Sequence, residues 1–242
     1  MHFSKWVLGA ALALCAFGTA LAKGDVITYQ AMGSDGSQTV AGTAVFTLSG
    51  NQLTINLTNN TTASNMQSTA DLLTALEFNL AGGLSLSNGS ATGQTVSVNS
   101  DLTLTTPGSS QTLNQGWGGG NLTGNPDEYA AAAGLNIGSG KSFNGTGLDG
   151  ADYGLIPAIT AVGNKDGFPQ SGPYTYNTVT LTFTVTGSGS LASDLSNVKF
   201  LYGTTPDASV GGAVVPEPTS LAGILVVLSA CAGTRRVARV KL

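Results

Sequence analysis

Four oxygen-bearing side chains in the second half of the chain could hold a metal ion. They fall in two short stretches, Asp149 with Asp152 and Asn164 with Asp166. Carboxylate and amide oxygens are the ligands that Ca²⁺ takes in proteins. The spacing is not that of an EF-hand loop, and acidic residues in turns also form Asx-turns with their own backbone. Calcium is therefore the one cofactor hypothesis, and plain turn formation is its alternative.

Trp117 lies in the glycine-rich stretch NQGWGGGN. An aromatic ring on such a loop could stack on the face of a sugar, which makes Trp117 a candidate glycan contact. Tryptophan is usually well buried, so a ring folded back onto the core is the competing interpretation. The sequence leaves both open.

Catalytic residue types are scarce. His2 and Cys15 fall in an N-terminal leader, and Cys231 falls in a C-terminal apolar run, so the body between them has no His and no Cys. That composition excludes from the body a Ser-His-Asp triad, a Cys nucleophile, a His/Cys zinc site and a disulfide. We assign no catalytic residue.

Paired carboxylates hydrolyse glycosides, and Asp127 is followed directly by Glu128. Nothing in the sequence places two carboxylates across one cleft, so a glycoside-acting enzyme is the least supported alternative. The two acids, the alanines after them and a closing glycine instead predict a two-turn helix over Asp127–Gly134.

The charge composition argues against a nucleic-acid partner. Charged residues make up 9% of the 242 residues, against about 25% in ordinary soluble domains. Between Lys23 and Val215 there are four lysines, no arginine and twelve acidic residues. An acidic body without a basic patch repels phosphate backbones.

The first 22 residues have the features of a secretory signal peptide. Lys5 is followed by the apolar run Trp6–Phe17, and Ala20 and Ala22 form the small-x-small site that signal peptidase reads. We expect cleavage after Ala22 and export. The alternatives are a buried first helix and a lipoprotein cut before Cys15.

The C-terminus combines three features in order. Pro216, Glu217 and Pro218 precede an uncharged apolar run over Leu221–Gly233, which as a helix would measure about 20 Å against a hydrocarbon core of about 30 Å. Basic residues follow and would stay in the cytoplasm as a stop-transfer signal; they are Arg235, Arg236 and Arg239. The prolines keep the segment before the run extended. A simple membrane anchor is the alternative.

This tail resembles the PEP-CTERM sorting signal of bacterial surface proteins. The resemblance implies that an exosortase removes the tail, so that the membrane is contacted only transiently. It also implies release or attachment of the body at the cell surface, often among exopolysaccharide. The partners so implied are signal peptidase, exosortase and exopolysaccharide.

The sequence of the body predicts a series of short strands. In Thr178–Val185, apolar residues alternate with threonines, which predicts a strand with one buried and one hydroxylated face. Thr43–Leu48 and Gln52–Thr58 predict a hairpin, and Leu73–Leu80 predicts a further strand. Together the strands predict an all-β fold with minimal helix, an antiparallel β-sandwich of jelly-roll or Ig-like topology.

Three stretches of the body, DLLTALEFNL, LDGADYGLIP and DLSNVKFLYGT, resemble landmarks of an uncharacterised β-rich class of exosortase-dependent surface proteins. The resemblance implies architecture and no activity. The expected organisation is a signal peptide over 1–22, a sandwich over 23–205, a linker over 206–215 and the sorting signal over 216–242. The expected function is a structural or adhesive surface or matrix protein. A carbohydrate- or calcium-binding module is the alternative.

Overall fold

A computed structural model describes residues 25–34, 36, 38–121, 128–133, 141–147, 151–164, 166–168, 172–204 and 208–216. Within these residues the fold is all-β, as predicted. Its strands are β1 (Asp25–Ser34), β2 (Thr39–Ser49), β3 (Gln52–Asn59), β4 (Leu73–Leu80), β5 (Ser85–Val96), β6 (Gln111–Thr112), β7 (Trp117–Asn121), β8 (Glu128–Ala133), β9 (Leu155–Ile156), β10 (Tyr174–Thr186), β11 (Leu195–Tyr202), β12 (Ser209–Gly211) and β13 (Ala213–Val215). The described helical pieces are short: α1 (Leu191–Asp194) and 3₁₀ turns at Ala63–Asn65 and Thr69–Asp71.

Hydrogen bonds join these strands into one mixed sheet. Its main path runs β12-β11-β4-β9-β10-β3-β2-β1-β13, with β5 and β6 attached to β10 and with β8 and β7 attached to β4. The pairing of β9 with β10 is parallel, and the other paired strands are antiparallel. The predicted all-β class is therefore confirmed. The predicted antiparallel sandwich is not, since the described strands form one mixed sheet.

The core forms where distant parts of this sheet face each other. Phe46 on β2 meets Phe78 on β4 with ring centroids 5.3 Å apart, although three strands lie between β2 and β4 in the sheet order. Tyr29 on β1 and Tyr129 on β8 extend the same aromatic row. Burial of each such side chain stabilises the fold by about 1.5–3 kcal/mol.

Local predictions from alternating residues are confirmed. The expected hairpin is the β2–β3 pair, with Leu48 opposite Leu53. Gly50 in its turn has a φ of 59°, a left-handed conformation that glycine adopts without steric cost. The strand predicted at Leu73–Leu80 has those bounds as β4.

The helix predicted over Asp127–Gly134 is wrong. Asp127 and Gly134 lie outside the described residues, and Glu128–Ala133 forms β8 between β4 and β7. An isolated two-turn helix is marginal in water. A strand between two others instead pairs its backbone groups on both sides, and this outweighs the helical propensity of alanine.

The prediction of a linker over 206–215 is also wrong for most of that range. Ser209–Gly211 pairs with β11 as β12, and Ala213–Val215 pairs with β1 as β13. Between them, the Gly212 amide donates to the Val198 carbonyl at 2.8 Å. These segments cover backbone groups that the edges of β11 and β1 would otherwise expose. The folded body therefore continues to Val215, directly before the Pro-Glu-Pro motif.

Candidate functional site

Trp117 belongs to the core. Its side chain is 0% exposed, and its Nε1–H donates to Thr175 Oγ1 at 3.0 Å. The Thr175 hydroxyl in turn donates to the Tyr153 carbonyl at 2.7 Å. The glycine beside the ring is needed for packing, since a Cβ on Gly118 would lie 2.1 Å from the Lys141 carbonyl oxygen. Stacking of Trp117 on a sugar is therefore the wrong interpretation, because the ring has no exposed face.

The candidate calcium ligands serve loop hydrogen bonds. Asp152 Oδ1 accepts from the Gly172 amide at 2.7 Å, and the Asn164 amide donates to Asp166 Oδ2 at 3.2 Å. Asp149 lies outside the described residues. Across the part of the chain that the structure describes, no three His, Cys, Asp or Glu side chains group as a metal ion would need. Calcium binding stays a prediction.

We expect the body to fold without calcium, because Asp152, Asn164 and Asp166, the described candidate ligands, already have hydrogen-bond partners within the protein. Thermal unfolding followed by circular dichroism should give the same Tm with 2 mM CaCl₂ as with 2 mM EDTA, to within about 1 °C. A ligand that binds only the folded state raises its stability by mass action. A Tm that rises with calcium and falls with EDTA would therefore support the calcium site.

Most of the predicted sorting residues lie outside the described residues. They are Ala20, Ala22, Glu217, Pro218, Arg235, Arg236 and Arg239. Pro216 is described and exposed, immediately after β13. None of the helices in the described residues is long and apolar enough to cross a membrane. The apolar run over Leu221–Gly233 is outside that range.

A surface that the sequence indicated only in part is formed by the outer faces of β2, β3 and β10. We call it the hydroxyl face. Its half-buried residues are Thr43, Val45, Thr47, Thr54, Asn56, Thr58, Thr178, Thr180, Thr182 and Thr184. The predicted alternation of β10 is confirmed, since Val179, Leu181 and Phe183 are buried on the opposite side. The strand register places the outward-facing residues of β2, β3 and β10 next to one another.

The threonines are aligned in rows across the strands. Thr178 lies opposite Thr58, which lies opposite Thr43. Four residues along, Thr182 lies opposite Thr54, and Thr54 lies opposite Thr47. Neighbouring strands are about 4.8 Å apart and same-face residues about 7 Å apart along a strand. The row between these two consists of Thr180, Asn56 and Val45. The result is an array of neutral side chains, most of which carry hydroxyl groups.

Side-chain hydrogen bonds hold this array in place. The hydroxyls of Thr58 and Thr178 lie 2.8 Å apart, and the Thr180 hydroxyl donates to Asn56 Oδ1 at 2.8 Å. Such cross-strand pairs stabilise a sheet by about 0.2–1 kcal/mol each. They also fix side-chain rotamers, so the face is ordered before any ligand arrives.

The hydroxyl face lies within an uncharged part of the sheet. The four adjacent strands β5, β10, β3 and β2 contain no Asp, Glu, Lys, Arg or His. Two groups with shifted pKa values lie outside the hydroxyl face. Burial raises the pKa of the inward-facing Tyr29, and a hydrogen bond from the Thr103 hydroxyl lowers the pKa of the Asp101 carboxyl. Binding at this face should therefore vary little with pH.

A depression lies at the β1 end of the hydroxyl face. We call it the edge pocket; its cavity volume is about 310 Å³, and its lining includes Gln30, Met32, Ala41, Thr43 and Asn60. The Asn60 amide donates to the Thr43 hydroxyl at 2.6 Å. The volume is at the lower end of the range for small-molecule sites.

A depression of similar volume, about 300 Å³, lies by β1 and β13 and has a mainly apolar lining that includes Val26, Ile27 and Leu195. Another cavity is smaller and also apolar. It has a volume of about 70 Å³ and is lined by aromatic rings and glycines, among them Phe78, Tyr129, Phe143 and Phe183. Ligand pockets generally exceed about 300 Å³, so this cavity is too small to admit a sugar. The hydroxyl face with the edge pocket is the better candidate site.

In comparisons with protein-family models, curated proteins and solved structures, nothing matches this chain. The likeness of its C-terminus to a sorting signal therefore remains a prediction from the residues themselves.

Proposed function

We propose that the chain is an exported, non-enzymatic surface or matrix protein, delivered through the exosortase route and associated with exopolysaccharide. The observation that carries the proposal for the body is the run of four adjacent strands without a charged residue, whose outer side presents hydroxyls. The N-terminal leader and the Pro-Glu-Pro tail of the sequence supply the route.

An uncharged polar surface suits a component of a polysaccharide layer. It creates no strong electrostatic field that would attract ions or nucleic acids. Its hydroxyls can form hydrogen bonds of similar strength with water and with the hydroxyls of a glycan. A carbohydrate-binding role is the second candidate, and the edge pocket favours it. Calcium binding and glycoside hydrolysis have less support, since Asp152 and Asp166 belong to loop hydrogen bonds and no described pair of carboxylates is found across a cleft.

We also infer that the continuous sheet is sandwich-like in packing. The contact of Phe46 with Phe78 joins the inner sides of β2 and β4, and the short β9 connects the two regions by pairing with both β4 and β10. One sheet can thus fold over its own core without dividing into two.

Processing at both ends tests the export route. In a bacterium that carries an exosortase, we expect surface-extracted protein to begin at Lys23 and to lack peptides from Leu221 to Arg235 in mass spectrometry. A strain without the exosortase is the control and should retain the tail. Protein that keeps Met1 or carries a lipidated Cys15 would contradict the leader prediction. Tail peptides in the mature surface pool would contradict exosortase processing.

A further inference from the structure

We propose that the edge pocket and the hydroxyl face form one binding site for a neutral polysaccharide, with a sugar residue in the pocket and the following residues lying across the threonine rows. This inference extends the proposed matrix role. Its support comes from the geometry of described residues, and the signals at the chain ends play no part in it.

The pocket combines the two kinds of group that a sugar needs. Gln30 and Asn60 supply exposed side-chain amides, and Thr43 supplies a hydroxyl between them. Met32 lies beside them with 79% of its surface exposed. A sugar has hydroxyls around its rim and C–H groups on its faces. Amides can bind the hydroxyls, and the flexible, polarisable methionine side chain can adapt to the C–H face.

The charge distribution selects a neutral occupant. Among the described residues, the strands that form and adjoin the site carry no cation, since β1, β2, β3, β5 and β10 lack Lys, Arg and His. The chain as a whole has a formal charge of −4. An anionic glycan or a phosphate would find no partner here and would be repelled at long range. A chain of neutral sugars meets no such penalty.

The edge pocket and the hydroxyl face lie on directly neighbouring strands. Thr43 belongs to both, and its register partners are Gln30 on β1 and Thr58 on β3. The next residue in the row, Thr178, is hydrogen-bonded to Thr58. Because these side chains are already held by one another, binding costs them less conformational entropy than it would cost free side chains. An extended glycan can therefore follow the row from the pocket across β3 to β10.

Affinity electrophoresis of the purified full-length chain tests the site. Native gels with a neutral detergent would contain a soluble β-1,4-glucan, a β-1,3-glucan, an α-glucan or a galactomannan, and parallel gels would contain the anionic polymer alginate. We expect at least one neutral polysaccharide to slow the protein and alginate to leave its mobility unchanged. The slowing should persist between pH 5 and pH 9, since the residues of the site do not titrate in that range.

The double variant Gln30→Ala/Met32→Ala should weaken the binding about tenfold or more, since it removes an amide and the apolar contact together. Thr58→Val/Thr178→Val, which removes two hydroxyls of the adjoining row, should weaken it by a smaller factor. Gln111→Ala is the matched control, since Gln111 is an exposed glutamine on β6, and it should bind as the wild type does. Circular dichroism melts would confirm that each variant is folded.

The proposal would be overturned by no retardation with any of the four neutral polymers, by retardation with alginate that equals theirs, or by unchanged binding of Gln30→Ala/Met32→Ala. Dimerisation in sedimentation velocity that this variant abolishes would also overturn it and would assign the face to a second copy of the chain. Since the binding is measured on purified protein, its failure leaves the export route intact. Failure of processing in cells likewise leaves the binding result intact.

Discussion

Replacing Trp117 with alanine is expected to lower the free energy of unfolding by about 3–5 kcal/mol, the usual cost of removing a large buried aromatic side chain. The ring is fully buried in the main core, and its N–H has a partner in the Thr175 hydroxyl. The change would therefore leave a cavity in the core. It would also remove one hydrogen bond from the buried Thr175 hydroxyl. Urea denaturation followed by circular dichroism measures the loss.

Trp117→Phe is the informative control for this prediction. It keeps an aromatic ring and removes the indole N–H, so the loss should be smaller than that of Trp117→Ala. Neither substitution should change glycan affinity in protein that remains folded, because the side chain lies inside. Unchanged stability of Trp117→Ala together with lost glycan binding would restore the sugar-stacking interpretation that the burial contradicts.

Replacing Pro216, Glu217 and Pro218 together with alanine should leave nearly all of the exported protein at full length in the membrane fraction. The prolines prevent helix in this segment, and alanines would allow the helix of the apolar run to extend backward through it. The body should still fold, because Pro216 is exposed and follows β13, the last of the described strands. Immunoblots of surface and membrane fractions, with mass spectrometry of the tail, measure the effect.

The position of β13 sharpens this expectation. Val215 pairs with Thr28 on β1, so only Pro216–Ser220 separates the folded edge from the apolar run that starts at Leu221. Five extended residues span at most about 18 Å. If an exosortase processes the chain as proposed, it has a short segment to reach between the folded body and the membrane.

One control variant and one further test variant accompany the triple change. Ser209→Ala, an exposed position in β12, should be processed as the wild type is. Arg235→Ser/Arg236→Ser should give a related retention defect by weakening the stop-transfer charge. If the triple variant loses its tail as efficiently as wild type, then the Pro-Glu-Pro motif is not the address, and the sorting hypothesis fails with it.

Features that depend only on neighbouring residues could be predicted from the sequence. Alternation of apolar residues with threonine is a local property, because successive side chains of a strand point to opposite sides. It therefore predicted the two-sided character of β10, the β2–β3 hairpin and the bounds of β4. Composition was equally direct, since the lack of His and Cys in the body excludes whole classes of site wherever the residues lie.

The tertiary structure alone decided the features that depend on remote pairing. The alanines of β8 favour helix locally, yet strands on either side of them supply hydrogen bonds along the whole segment. The residues read as a linker became β12 and β13 because edges of β11 and β1, far away in the chain, pair with them. Trp117 lay on a glycine-rich stretch that reads as a loop, and its burial depends on contacts such as that with Thr175, 58 residues away. The hydroxyl face follows the same logic, since register across three strands, and no single stretch, brings its threonines into rows.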